Sequence, residues 1–415
     1  MEGKRGIAVG SGQPIWALGF MTGTSMDGVD AAVLLTDGET LEMFGPSHSI
    51  PFGEAQIAGL RTAIDWCADH WPNNGKLRAK ADLWDIAELR LADELLVAAH
   101  VEASDAIMSR FHDRPDKLGP AWQHRVFERA ERIELIGFHG QTVLHRPEEG
   151  YTLQIGDGAL LAEESPLNTP VIHDFRAADM AAGGEGAPLA PFYHFALARK
   201  IEAEAPVAFL NIGGVGNVTW VDPSRAAPEE DGALMAFDTG PGNALVDDWM
   251  ARKTGMAIDQ DGQAAAEGTI RLDRLRSNYA EGYLSRLPPK SLDRNEFAGV
   301  LSAIEGLSIA DGAATLAHFT VECVVRSQTH MPSKPSRWLV CGGGRHNRTM
   351  MKMLGERLDA PVEPVEAVGL DGDMLEAQAF AYLAVRVLRG LPTSAPSTTG
   401  CRTPVCGGQI SYPPE

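Results

Sequence analysis

Residues 15–35 read IWALGFMTGTSMDGVDAAVLL, two apolar runs separated by a short polar break rich in glycine. The runs, 15–21 and 29–35, are typical of paired β-strands, and the glycines between them are typical of a tight turn. The turn also carries two hydroxyls and a carboxylate. The stretch predicts a β-hairpin whose turn is either an ordinary polar tip or a ligand-binding loop.

The composition of this turn suits a phosphate group. Glycine lets backbone N–H groups approach a ligand closely, and successive N–H groups in a turn form a concave anion site. Thr24 and Ser25 can donate hydrogen bonds to phosphate oxygens, and Asp27 can hold Mg²⁺ directly or through water. One such turn is a weak signal, because most glycine turns only shape the chain.

Length and charge narrow the class of protein. A chain of 415 residues exceeds the usual size of one core, which predicts two lobes. Its 36 basic and 56 acidic residues give a net charge of −20, which argues against nucleic acid or a membrane as partner. Five scattered cysteines indicate a reducing compartment. Without a signal peptide or a long apolar run, we expect a cytoplasmic protein.

The opening pattern recurs along the chain. Residues 207–221, VAFLNIGGVGNVTWV, again place glycines between two apolar strands, and residues 338–347, WLVCGGGRHN, end a strand in three glycines. Each half therefore opens with a strand, a glycine-rich turn and a strand, and later has a long helix before a strand. This order predicts two α/β lobes of related topology.

Helices are predicted where apolar residues recur at spacings of three and four, at about 77–111, 312–330 and 373–389. The apolar face expected for the first helix is Trp84, Ala87, Leu91, Leu95 and Ala98, and for the last helix Leu375, Ala379, Leu383 and Val387. Residues 36–75 show a mixed pattern with acidic loops. The tail beyond 390 is typical of a loop.

Eight blocks occur in order: GFMTGTSMDGVD, FHGQTVLH, QIGD, DFRAADMAAGGEGAPLAP, LNIGGVGNVTW, FDTGPGN, PKSLDRNEF and VCGGGRHN. Together they resemble the anhydro-N-acetylmuramic acid kinases over residues 16–390. The resemblance implies the α/β, two-lobed sugar kinase, Hsp70 and actin-like (ribonuclease H-like) fold, with a mixed sheet in each lobe and an ATP cleft between the lobes. We expect lobes at 1–195 and 196–372, and a C-terminal helix and tail at 373–415 that pack on the first lobe.

The resemblance also implies a reaction. Water opens the ring of 1,6-anhydro-N-acetylmuramic acid, and O6 receives the γ-phosphoryl group of ATP with the help of Mg²⁺. The product is N-acetylmuramic acid 6-phosphate, formed in cell-wall recycling. A homodimer is a further expectation. The tail beyond 395 departs from the family pattern, which leaves the C-terminal packing open.

Roles for individual residues follow from the matched blocks. The implied ATP-binding residues are Gly23, Thr24, Ser25, Met26, Asp27, Gly28, Val29 and Asp30 in the first turn, Gly213 and Gly214 in the second, and Gly342, Gly343 and Gly344 on the adenosine side. Asp238 is implied as the catalytic base, since water must lose a proton as it attacks the anomeric carbon. The residues alone favour a helix-cap or turn role for Asp238.

The expected sugar contacts are Asp174, Arg176, Asp179, His139 and Gln141. Arg176 suits the lactyl carboxylate, because a guanidinium can pair with a carboxylate through two parallel hydrogen bonds. An internal pair of Arg176 with an aspartate, which fixes the loop, is the alternative, and His139 is equally typical of a structural residue. The expected Mg²⁺ contacts are Asp27 and Glu376, although a glutamate in a first helical turn also complements the helix dipole.

Two other classes of function fit part of the pattern. A glycoside hydrolase would pair Asp238 with a second carboxylate, but it needs neither three glycine turns nor ATP. A nonenzymatic ATP-dependent clamp of the actin or Hsp70 type needs an exposed binding surface that the sequence does not display. A hydrolase would open the anhydro ring without ATP, and a clamp would ignore the sugar.

Replacing Gly23 by Val is expected to raise the KM for ATP strongly, because a branched side chain obstructs the approach of phosphate to the backbone N–H groups. Steady-state kinetics with ATP as the varied substrate measure the effect, on a variant whose circular dichroism matches that of the parent. An unchanged KM would place the phosphates elsewhere.

Overall fold

The computed structural model describes residues 12–23, 26–74, 84–111, 132–275, 281–292 and 297–414. The chain divides into two compact units, one formed by Met1–Ala196 with Glu376–Glu415 and the other by Leu197–Leu375. Each unit contains a mixed β-sheet flanked by helices. The predicted α/β fold class, with a mixed sheet in each half, is confirmed.

The first unit begins and ends the chain. Its strands are β1 (Ile15–Met21), β2 (Gly28–Thr36), β3 (Leu41–Pro51), β4 (Leu135–Phe138), β5 (Gln141–Arg146), β6 (Tyr151–Ile155), β7 (Val171–His173) and β13 (Gln409–Ser411). Its helices are α1 (Glu54–Asn74), α2 (Ala87–Phe111), α3 (Gly158–Glu164), α4 (Ala177–Ala181), α5 (Pro191–Lys200), α12 (Leu375–Arg389) and α13 (Pro396–Thr399), of which α5 and α12 cross the border of the unit.

The second unit occupies the middle of the chain. Its strands are β8 (Val207–Ile212), β9 (Val215–Val221), β10 (Leu234–Pro241), β11 (Trp338–Cys341) and β12 (Val362–Pro364). Its helices are α6 (Ala244–Thr254), α7 (Gln263–Glu267), α8 (Glu281–Leu284), α9 (Ala298–Ala303), α10 (Ile309–Ser327) and α11 (Arg348–Arg357). Short 3₁₀ turns lie between several of these elements.

The two sheets share one plan. The first has the order β13-β7-β4-β1-β2-β3, in which β1, β2 and β3 form an antiparallel meander and β4 and β7 continue parallel to β1. The second has the order β10-β9-β8-β11-β12, again with an antiparallel meander followed by two parallel strands. The duplicated order of elements predicted from the glycine turns is therefore confirmed.

Helices α1 and α2 cover one face of the first sheet. Their apolar residues join Trp16, Leu18 and Phe20 of β1 in one buried cluster. The face predicted for α2 is wrong, since Leu91 is 55% exposed. The buried side instead runs through Leu89, Leu96 and Ala103, and it also carries Asp93, His100 and Ser104. Because polar residues share this side, apolar spacing alone could not locate it.

Helix α12 lies on the opposite face of the first sheet, where glycines replace side chains. A Cβ atom at Gly19 would collide with the carbonyl oxygen of Ala377, and one at Gly137 with that of Phe380. The four residues predicted to share a face of α12 are all buried, as are most residues around it. The prediction of a loop beyond residue 390 is wrong in part, since α13 and β13 lie there, and residues 36–75, where the sequence pattern is mixed, contain β3 and α1.

A buried histidine sits in the core of the first unit. His100 lies between the rings of Phe20 and Phe138, at centroid distances of 5.1 and 4.7 Å, and its Nδ1 is 2.7 Å from the carbonyl oxygen of Leu96. A carbonyl only accepts, so Nδ1 carries the proton of a neutral ring. Burial lowers the pKa of His100 to about 4.

We expect His100 to make the protein sensitive to acid. The unfolded chain binds a proton at this residue near pH 6.5, whereas the folded protein resists protonation until about pH 4. Stability therefore falls with decreasing pH between these values, by roughly 1.4 kcal/mol per pH unit. Urea unfolding at pH 6.5 and 4.5 should show a smaller loss in His100→Gln, while the exposed-site control His70→Gln should match the parent. Equal losses in His100→Gln and the parent would contradict this assignment.

Candidate functional site

The loops that follow the strands of the first sheet gather at one edge. The ends of β1, β4 and β7 lie side by side, because Phe20 pairs with Phe138 and Phe138 with His173. The β1–β2 turn, the loop at His139 and the loop at Asp174 directly follow these ends. Loops at the carboxyl ends of parallel strands are the usual ligand sites of open α/β sheets.

The β1–β2 turn is held by backbone contacts. Gly23 accepts a hydrogen bond from Met26 N at 3.1 Å, and Met26 has a positive φ of 55°. Thr22 is buried and donates its hydroxyl to the carbonyl oxygen of Gly140 at 2.9 Å. The turn and the FHGQ block, predicted to serve one site, are thus bonded to each other.

The remaining residues of the predicted phosphate turn differ in what they can offer a ligand. Thr24 and Ser25 lie outside the described residues. Asp27 is exposed, and Asp30 accepts a hydrogen bond from Ser49 Oγ at 2.5 Å. Val29 is 0% exposed and packs in the core, so only its backbone can face a ligand.

Arg176 is held by a neutral histidine. Nδ1 of His139 lies 2.7 Å from the carbonyl oxygen of Gly140 and therefore carries the ring proton. Nε2 of His139 then accepts from Nε and Nη2 of Arg176 at 3.0 and 2.8 Å. Nη1 of Arg176 donates to Gly186 O at 2.7 Å. Within the described residues no direct hydrogen bond joins Arg176 to an aspartate, but Asp179 is linked to Arg176 through Gly186 and by its charge, so the alternative of an internal Arg–Asp pair that fixes the loop stays open.

The charge on Arg176 persists at neutral pH. Burial lowers the pKa of Arg176 to about 10, while Glu376 and Asp179 act in the opposite direction. Glu376 keeps solvent access in the first turn of α12. Even so, the protein atoms around its carboxyl raise the pKa of Glu376, Arg176 opposes this rise, and Asp30 adds to it. The charges of Arg176 and Asp30 thus both act on the carboxyl of Glu376.

Three of the predicted sugar contacts are buried. Asp179 is 1% exposed, Gln141 is 0% exposed and His139 is 5% exposed. Gln141 donates to the carbonyl oxygen of Thr142 at 3.3 Å, and its Oε1 has no partner among the described residues. Asp174 is partly exposed, with a φ of 56°, and accepts from Gln409 Nε2 at 2.9 Å. Asp174 is therefore more exposed than Asp179, Gln141 and His139, and the sugar contacts stay predictions.

The second unit gathers its glycine loops in the same way. Cys341, Asn211, Asn217 and Asp238 form one row across β11, β8, β9 and β10. Gly213 and Gly214 follow the end of β8, and Gly342 follows the end of β11. The second phosphate turn, the adenosine-side loop and the candidate base, predicted separately, thus lie at one edge of one sheet.

The start of α6 clamps the second glycine turn. Asn243 N donates to Gly213 O at 2.7 Å, and Gly242 N donates to Gly214 O at 3.0 Å. The side-chain amide of Asn243 donates to the carbonyl oxygen of Ile212 at 3.1 Å. These bonds orient the carbonyl groups of Ile212, Gly213 and Gly214 toward the start of α6.

Asp238 is held on three sides by residues 283–292. Its N–H donates to the carbonyl oxygen of Lys290 at 3.0 Å, and its own carbonyl accepts from the hydroxyl of Tyr283 at 2.8 Å. Its carboxylate oxygen Oδ2 accepts from Leu292 N at 2.9 Å. The helix-cap alternative is wrong, because Asp238 lies within β10 and the residue that precedes α6 is Asn243.

A buried lysine supports this segment and was missed by sequence reasoning. Lys290 is 6% exposed, and its ammonium lies 4.8 Å from the ring centroid of Tyr283 and 5.6 Å from that of Phe237. Burial lowers the pKa of Lys290 to about 8, an effect strengthened by Arg286 and opposed by Asp238. The PKSLDRNEF block contained this residue, but a lysine beside a diproline gives no sign of burial.

The loop predicted to lie on the adenosine side depends on Gly342 and on a buried arginine. Gly342 has φ 70° and ψ 174°, a conformation that is essentially restricted to glycine. Arg345 donates to Gly342 O at 3.1 Å and pairs with Glu366 and Asp373, each at 2.8 Å. Its side chain is 3% exposed. The sequence offered no reason to select Arg345, whose ion-pair partners, Glu366 and Asp373, lie more than 20 residues away.

The described residues do not form a preassembled metal site. Within the ranges that the structure describes, no group of three or more His, Cys, Asp or Glu residues is arranged to hold a metal ion. The assignment of Asp27 and Glu376 to Mg²⁺ stays a prediction. Across the same ranges, no helix combines the length and apolarity that crossing a membrane requires.

Comparison with known proteins identifies the family. A sequence model described as anhydro-N-acetylmuramic acid kinase matches residues 15–413. The chain belongs to the anhydro-N-acetylmuramic acid kinase family. It is therefore an enzyme, a kinase of an anhydro amino sugar that uses ATP. The match also corrects one expectation, since the family pattern includes the tail beyond 395.

Relatives that carry this name cover nearly the whole chain. An anhydro-N-acetylmuramic acid kinase of Roseobacter denitrificans is 48% identical over 406 residues, which are 98% of this chain and 97% of the relative. Anhydro-N-acetylmuramic acid kinase 1 of Jannaschia is 49% identical over 400 residues, 96% of each chain. Among solved structures, an activator of 2-hydroxyisocaproyl-CoA dehydratase from Clostridium difficile, with bound ADPNP, has a TM-score of 0.43 and 10% identity over 91% of this chain and 96% of its own.

The Gly342→Ala substitution is expected to destabilise the protein by about 1–3 kcal/mol, because it forces alanine into a glycine-only conformation and places Cβ against Asn211 and Ile212. The control is Gly355→Ala in α11, where a Cβ meets nothing within 4 Å. Because alanine favours helix, that change should stabilise by up to about 1 kcal/mol. Urea unfolding measures both. A neutral Gly342→Ala would contradict the assigned backbone conformation.

Proposed function

We propose that this kinase opens 1,6-anhydro-N-acetylmuramic acid with water and phosphorylates O6, with Asp238 as the general base. Water attacks the anomeric carbon and gives its proton to the Asp238 carboxylate, while the bond from that carbon to O6 breaks. O6 forms a bond to the γ-phosphorus of ATP, and ADP leaves. The product is N-acetylmuramic acid 6-phosphate.

The observation that carries the role of Asp238 is its support by residues 283–292. A general base must be oriented before the reaction, and three hydrogen bonds fix both the backbone and one carboxylate oxygen of Asp238. Asp238 also remains partly exposed. Asp179, by comparison, is 1% exposed, and its carboxylate accepts three hydrogen bonds from the protein.

The glycine turns are the proposed phosphate and nucleotide contacts. In the first unit these are residues 23–30, and in the second Gly213, Gly214 and 342–344. We assign Mg²⁺ to the exposed carboxylates of Asp27 and Glu376. Two carboxylates without a protein cage suit an ion that keeps several of its waters. When bound, Mg²⁺ neutralises charge on the transferring phosphoryl group.

Arg176 is the proposed contact for the lactyl carboxylate of the sugar. It is cationic at neutral pH, and its orientation is fixed by His139 and Gly186. Asp174, which is partly exposed on the same loop, is the proposed partner for sugar hydroxyls. The two compact units are the proposed domains. Dimerisation and a cytoplasmic location stay predictions.

The Asp238→Asn substitution tests the base. Asparagine keeps the size and the acceptor toward Leu292, but it cannot take a proton at neutral pH. The variant should lose at least about two orders of magnitude in kcat, while ATP binding measured by calorimetry stays unchanged. Asp359→Asn serves as the control, because Asp359 forms only an exposed surface ion pair with Lys334, and this variant should retain normal turnover.

Other outcomes of this experiment point elsewhere. Near-normal turnover of Asp238→Asn would move the base to another carboxylate, with Asp174 and Asp179 next in line. Loss of folding would favour a structural role for Asp238. Ring opening can be measured by the reducing end that it creates. If the parent enzyme opened the ring without ATP, it would be a hydrolase instead of a kinase.

A further inference from the structure

The C-terminal segment 393–411, here called the C-terminal strap, is bonded along the loop that carries Arg176. Ile410 of β13 pairs with Ile172 of β7 in an antiparallel ladder. Glu185 N donates to Thr399 O at 2.8 Å. The strap is therefore hydrogen-bonded to the chain just before the loop 174–186 and again near the end of this loop.

Two strap hydroxyls end on one buried carboxylate. Asp179 Oδ1 accepts from Ser394 Oγ at 2.5 Å and from Thr399 Oγ1 at 2.6 Å. Asp179 is 1% exposed, and both hydroxyl residues are 0% exposed. A buried carboxylate is costly unless donors satisfy it. The strap supplies two of the three donors, and Gly186 N supplies the third at 2.7 Å.

The backbone of Gly186 also binds the guanidinium of Arg176. Gly186 N is bound to Asp179, and Gly186 O accepts from Arg176 Nη1 at 2.7 Å. Gly186 has a φ of 71°, and a side chain at Gly184 would collide with the Asp179 carboxylate. The loop is thus closely packed around Asp179, and rotation of this carboxylate would move one of the two anchors of Arg176.

We propose that Ser394 and Thr399 are positioning residues for sugar binding, which set the orientation of Arg176 through Asp179 and Gly186. The inference rests on the proposed role of Arg176 toward the lactyl carboxylate. It assigns to the tail of the chain a function in substrate recognition. None of the strap residues was predicted as part of the site.

The test compares variants that remove one hydroxyl each, Ser394→Ala and Thr399→Val. Two controls are matched. Thr399→Ser retains the hydroxyl, and Thr398→Val removes a buried hydroxyl of the same short helix that bonds only to Ala395. The substrates are 1,6-anhydro-N-acetylmuramic acid and its lactyl carboxamide, which has the same shape without the negative charge.

Both hydroxyl-removing variants should raise the KM for the acid about tenfold, with kcat and the KM for ATP within twofold of the parent. The KM for the carboxamide should change less, so discrimination between acid and carboxamide falls. Amide hydrogen exchange in residues 183–187 should be faster in both variants. Thr399→Ser and Thr398→Val should behave as the parent. If one hydroxyl-removing variant does not fold, the other carries the test, and exchange in residues 183–187 is then compared with that in Thr398→Val.

Arg176→Met separates the two proposals. If it leaves discrimination between acid and carboxamide intact, the role of Arg176 fails and the strap inference fails with it. If Arg176→Met abolishes discrimination while Ser394→Ala and Thr399→Val preserve it, the strap inference alone is overturned. An equal rise of KM in Thr399→Ser would also overturn it, because the hydroxyl would then not be the cause.

Discussion

The parallel pairing of β1 with β4, and of β8 with β11, is the constraint on which the rest of the structure depends. In the first sheet it sets Gly19 opposite Gly137, so that both glycines face α12 and the large side chains face α1 and α2. A shift of one residue would exchange these faces. The same pairing brings the ends of neighbouring strands level, and every loop of the candidate site follows one of those ends.

Buried charges then fix the loops that the strands deliver. Asp179 accepts from Gly186 N in the Arg176 loop, the ammonium of Lys290 donates to the carbonyl oxygen of Tyr283 within the segment that holds Asp238, and Arg345 donates to Gly342 O. Asp93 of α2 receives the N–H groups of Gly156 and Asp157 in the QIGD block. Each charge is compensated by hydrogen bonds or ion pairs, because an uncompensated charge in the interior would be strongly unfavourable. These contacts fix the backbone of the loops near the side chains proposed to meet substrate.

Errors in the sequence interpretation share a physical origin. The wrong face of α2 was chosen because apolar spacing cannot recognise interior polar residues such as Asp93 and His100. The helix-cap alternative for Asp238 assumed a short turn before α6, whereas β10 continues to Pro241. The tail was predicted to be a loop because its short helix and strand are stabilised by residues elsewhere in the chain. The local sequence pattern does not reveal such distant contacts.

By itself, the sequence determined the fold class, the duplicated arrangement of strands and glycine turns, and the family, because these depend on local periodicity and on blocks of consecutive residues. Tertiary structure alone decided which side chains are buried and what they hold. Ser394 and Thr399 meet Asp179 across 215 and 220 residues of chain. A serine and a threonine in a proline-rich tail have no distinguishing local pattern, and their role exists only because folding closes the strap over a buried carboxylate.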